Sequence, residues 1–150
     1  MSIDSSVNAL LDGGGSSARF ETIGDLVKGT IISATTSQQT DFKTREPKKW
    51  KNGDPMMQVI IRLQTDERDP DDATDTGERT LYVDSRGKRS ALKEALRRAN
   101  AKLEVGGMLA MQYTGDGEAE RGMNPPKQYR AEYAAPAPAT GVDSAVANLL

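Results

Sequence analysis

Residues 40–62, TDFKTREPKKWKNGDPMMQVIIR, set a basic loop directly before the clearest strand pattern in the chain. Lys43, Arg45, Lys48, Lys49 and Lys51 surround the single tryptophan, Trp50, and Phe42 stands at the loop's entry. Asn52-Gly53-Asp54-Pro55 closes the loop with a turn signal. In the strand that follows, MMQVIIRLQ, residues Met57, Val59, Ile61 and Leu63 share one face. Gln58, Arg62 and Gln64 share the other with Met56 and Ile60. The first set is the expected core face, which points Arg62 outward.

Composition removes several classes of chemistry. The chain has no Cys, so no disulfide and no thiolate nucleophile. It has no His, the commonest general base and transition-metal ligand. No metal, cofactor or enzymatic activity is expected. No run of about 18 apolar residues suggests a membrane span. The opening MSIDSSVNALLDGGG lacks the basic and long apolar regions of a secretory signal. The expectation is a cytoplasmic protein.

Taken in order, residues 1–19 read as a flexible arm ending in Gly13-Gly14-Gly15-Ser16-Ser17. A domain over 20–134 opens with a first strand, Val27 to Thr36, in which Gly29 marks a bulge or bend. After the second strand, DERDPDDATDTGE makes an acidic connection without the ligand spacing of a calcium loop. The third strand, RTLYVD, turns Leu81 and Val83 inward and Tyr82 outward. A helix follows, capped by Ser85 or delayed to Ser90, with Leu92, Ala95, Leu96 and Ala99 as its apolar stripe and an end near Asn100. MLAMQYT and KQYRAEY supply the fourth and fifth strands, joined by GDGEAERGMNPP. Residues 135–150 are a Pro/Ala linker and a short terminal peptide, DSAVANLL, that nearly repeats DSSVNALL at 4–11. Val146, Leu149 and Leu150 are its candidate docking residues for a replication or recombination partner.

The order strand, strand, strand, helix, strand, strand is that of the OB-fold, a five-stranded Greek-key barrel whose ligand crosses strands two and three. The expected fold is therefore all-β with one helix and flexible arms at both ends. The loops joining strands one to two and four to five flank the OB-fold site, and here the first of these is the basic loop. Net charge is only −2, but its segregation matters more than its sum: acids gather at 66–78 and bases at 43–51 and 86–102.

Several stretches also carry a resemblance: QQTDF at 38–42, MMQVIIRLQTDERDP at 56–70, TLYVD at 80–84, LEVGG at 103–107 and GDGEAERGMNPPKQY at 115–129. Over roughly 20–134 and the arms, the chain resembles the single-stranded-DNA-binding proteins encoded by phages of actinobacteria. The resemblance implies a replication or recombination role and tips the ligand toward DNA rather than RNA. It also departs from bacterial counterparts, whose strongly acidic, aromatic-tipped tail has no equivalent in DSAVANLL.

The function expected is sequence-independent binding of single-stranded DNA by stacking and phosphate neutralisation. Trp50 and Tyr82 are the leading stacking candidates, followed by Phe42, Tyr113 and Tyr129. Lys43, Arg45, Lys48, Lys49, Lys51 and Arg62 are the expected phosphate contacts, with Arg86, Lys88 and Arg89 extending the path. A homo-oligomer is compatible with this reading, although no residue pattern specifies one. The competing reading is a protein-interaction barrel, a virion component or host-enzyme inhibitor, in which Trp50 anchors a protein interface.

Overall fold

The computed structural model describes residues 16–41, 43–119 and 121–136. Its elements are β1 (Leu26–Gln38), β2 (Met57–Gln64), β3 (Glu78–Val83), α1 (Arg86–Ala99), β4 (Met108–Asp116) and β5 (Lys127–Ala134). Each expected element is present in the expected order. The strands form one antiparallel sheet in the order β3-β2-β1-β4-β5. The sheet is open rather than closed: among the described residues, β3 and β5 do not pair. Ser16 and Ala18 exchange backbone hydrogen bonds with Thr80 on the outer edge of β3, so ordered structure begins before the expected boundary at Phe20.

The central strand, β1, serves two neighbours in turn. Leu26–Thr30 pairs with β4, and Thr30–Gln38 pairs with β2, with a register shift between Ile31 and Ser33. The expected bend thus falls just beyond Gly29. That glycine has a different duty, since a Cβ on it would stand 2.5 Å from the Gln64 carbonyl oxygen.

Alternation along the strands builds the core. Ile31, Ile61, Leu63, Leu81, Val83, Leu109 and Met111 are almost wholly buried on the inner face. Each such side chain contributes about 1.5–3 kcal/mol. Met57 corrects the expected core list, because it is 44% exposed. It has the right parity, but the β1–β2 ladder runs on past the core, and nothing lies beneath its far end.

The helix closes the layer against β5. Ser85 caps its start by accepting the Lys88 N–H at 3.2 Å, so Gly87 does not delay it. Asn100 ends it in the left-handed conformation at φ 49°. Ala91, Leu92 and Ala95 are buried, with Leu96 and Ala99 partly so. Gly87 lets the first turn approach the Lys127 carbonyl, where a Cβ would stand at 2.6 Å.

The acidic connection is more than a solvated hairpin. Asp75 is buried and accepts N–H bonds from Asp69 at 2.7 Å and Gly77 at 2.8 Å, together with a two-point bond from Arg79. The Arg79 guanidinium, then these amides, holds its carboxyl far below the usual carboxylate range. Among the described residues, no acidic cluster is arranged to hold a metal ion. No helix there is long and apolar enough to cross a membrane.

Candidate functional site

The basic loop between β1 and β2 has a built backbone. Lys48 donates to the Gln39 carbonyl and accepts from Met56, while Gln39 donates to Met56, all within 2.7–2.9 Å. The middle of the loop is thereby stitched between its two ends. Two small turns project from this seam. In the first, Asp41 accepts the N–H groups of Lys43 and Thr44, which hold its carboxyl below the ordinary range. In the second, Trp50 donates to the Asp54 carbonyl at 2.8 Å, and Gly53 donates back to Trp50 at 2.9 Å.

This scaffold turns the charge outward. Lys43, Arg45, Lys48, Lys49 and Lys51 are all exposed, and Trp50 is 49% exposed. Among the described residues, none of these five cations forms an ion pair. Phe42 lies outside the described residues, as do Val146, Leu149 and Leu150.

Beside the loop, the outer face of β1–β2–β3 carries a row formed by register: Thr35 opposite Ile60, and Ile60 opposite Tyr82. Tyr82 is 37% exposed. The Gln39 amide ties loop to sheet by donating to the carbonyls of Met57 and Asp84, each at 3.2 Å. Thr35, Ile60 and Gln39 were not singled out by sequence reasoning. Alternation had put Ile60 outward, but cross-strand partners are invisible until the register is known.

The remaining candidates divide by their partners. Arg62 does face outward, yet it is ion-paired with Glu78 on β3. Lys88 pairs with Asp84 at 3.1 Å, donates to the Tyr82 carbonyl at 3.0 Å, and lies over the Phe20 ring at 5.3 Å. Its side chain is only 13% exposed, so it braces the end of β3 and offers little to a phosphate. Arg86 is exposed and Arg89 half-buried, and neither forms an ion pair among the described residues.

Two aromatic candidates belong to the interior. Tyr113 is buried, with its hydroxyl bonded to Asp116, which pushes its pKa up to about 12. It has no free ring face for a base, and the expectation is corrected there. Tyr129 packs edge-on against Phe20 at 5.3 Å and beside Tyr113 at 5.9 Å. Burial, and secondarily Asp84, raises its pKa. Partly buried in that cluster, it joins β5 to the start of α1 rather than to the loop.

Comparison of the chain with protein-family models, with curated proteins and with solved structures finds no match. Function is therefore argued from the geometry alone.

Proposed function

We propose that this chain is an OB-fold module that binds single-stranded DNA without sequence preference, in phage DNA replication or recombination. One observation carries the reading: an ordered loop holds five unpaired cations and a half-exposed indole beside the outward Tyr82 of β3. Fixed cations of one sign neutralise successive phosphates, and exposed rings accept the faces of unpaired bases. The strand order, with β1 shared between β2 and β4, is compatible with the OB topology, whose ligand crosses strands two and three. The mechanism is equilibrium binding with no chemical step.

The direct test is fluorescence titration with oligo-dT, with Trp50 as the only indole reporter. Quenching that weakens with salt, and that duplex DNA of equal length fails to reproduce, supports the reading. An RNA oligomer of the same length tests the preference for DNA. No binding to any of these nucleic acids overturns it and moves the site to the protein-interaction class.

A further inference from the structure

The sheet has three backbone edges to protect, and two are covered. Ser16–Ala18 pairs with β3. On β5, the Arg98 guanidinium bonds to the Ala131 carbonyl, and α1 lies against the Lys127 carbonyl. The third edge is the far half of β1, beyond the point where β4 leaves it.

Hydrogen-bond parity identifies the bare groups. Gln39 bonds to Met56, and Thr65 bonds to Gly77 on the other side of β2. By the alternation of an antiparallel ladder, Ser33, Thr35 and Ser37 then bond to Arg62, Ile60 and Gln58. Ala34 and Thr36 turn their N–H and C=O groups away from β2. Ile31 is the last residue with backbone partners on that side, exchanging bonds with Gly106 and Gly107 at 2.8 Å. Among the described residues, no backbone partner reaches Ala34 or Thr36 from there.

Edges left open in monomers usually carry a charge, a proline or a covering segment. Residues 32–38, ISATTSQ, have neither charge nor proline. Their side-chain surface is also unfinished. Ala34 and Thr36 have inner-face parity but are exposed, as is Met57, opposite Gln38 on that same face.

We infer that this edge pairs with the same edge of a second copy of the chain, making an antiparallel β1–β1 seam about a two-fold axis near Thr35. An isologous contact must present one patch to itself, and Ser33-Ala34-Thr35-Thr36-Ser37 has nearly the same profile read in either direction. The axis sets Ala34 of one copy opposite Thr36 of the other, and no like charges meet. The result is one sheet ordered β3-β2-β1-β1-β2-β3. A two-fold perpendicular to the sheet keeps both Tyr82 side chains on one outer face, with the two basic loops flanking it. The inference does not depend on nucleic-acid binding.

The test is sedimentation of the full chain without nucleic acid, with hydrogen exchange read at the Ala34 and Thr36 amides. The expected mass is twice that of one chain, with both amides protected. Thr36→Pro removes an outward donor while leaving the bonds to β2 in place. It should yield the single-chain mass with an unchanged circular-dichroism spectrum, and Ala34 exchange should accelerate at least tenfold. If Thr36→Pro fails to fold, the Ala34→Lys/Thr36→Lys pair decides, because it sets like charges across the axis without altering the backbone. A wild-type chain that sediments at single-chain mass throughout the micromolar range overturns the inference. So does an oligomer that survives in the folded variant.

Discussion

The backbone N–H of Trp50 donates to the carbonyl of Asp54 at 2.8 Å, so the only indole of the chain is carried on a closed turn. The ring is half exposed and takes no part in the core. Trp50→Ala should therefore weaken oligo-dT binding by about 1–3 kcal/mol, roughly 5- to 150-fold. The melting temperature should stay at the wild-type value. Binding measured by anisotropy with a labelled oligonucleotide, beside a thermal melt, separates the two effects. Equal affinity for both proteins would remove Trp50 from the site.

Lys48 and Lys49 sit in the stitched middle of the loop, exposed and free of ion pairs among the described residues. Lys48 is held there through its backbone alone, so removing both side chains leaves the seam intact. The Lys48→Ala/Lys49→Ala protein should show a shallower dependence of log affinity on log salt, by about 1.4 for two lost phosphate contacts on a single strand. An unchanged slope would mean that these cations face something other than phosphate.

Gly29 faces the Gln64 carbonyl, where a Cβ would lie 2.5 Å from the oxygen. The obstacle is backbone, so it cannot rotate aside. Gly29→Ala should destabilise the fold by about 1–3 kcal/mol, through the shifts an overpacked site imposes. Chemical denaturation measures this. Wild-type stability in the variant would show that β1 and β2 separate there at little cost.

Asp75 ties the connection between β2 and β3 to Arg79, and its pKa is depressed in the folded protein. A depressed folded pKa gives stability that is fully present above the unfolded value near ~3.9. That stability is lost as pH falls below it, since protonation costs more in the folded chain than in the unfolded one. The urea midpoint should fall through this acid range, and Asp75→Asn should flatten that part of the profile while lowering stability at neutral pH. A wild-type-like acid profile in Asp75→Asn would assign the pH dependence to other carboxylates.

Much of the architecture was legible because the relevant physics is local. Alternation at 56–64 and 79–84 located two strands and put Ile61, Leu63, Leu81 and Val83 inside and Tyr82 outside, as observed. Ser85 and Asn100 marked the ends of α1 because caps act within one turn. Met57 broke the pattern because alternation gives a side chain's face but not how far the core extends beneath it. Tyr113 and Tyr129 were ambiguous for a related reason: nothing local distinguishes a tyrosine on a surface strand from one sealed by Phe20 and α1.

By itself, the sequence determined the number, type and order of the elements, the absence of cysteine and histidine chemistry, and the concentration of cations around one tryptophan. These depend on residue identity and on periods of two or about 3.6 residues. Only the tertiary structure decided which cations remain unpaired. Arg62 meets Glu78 and Lys88 meets Asp84, while the loop lysines meet no acid among the described residues. It also decided that β1 gives half its length to β4 and leaves the rest with one open edge. Cross-strand partners are set by register between segments distant in sequence, and no local pattern contains that register.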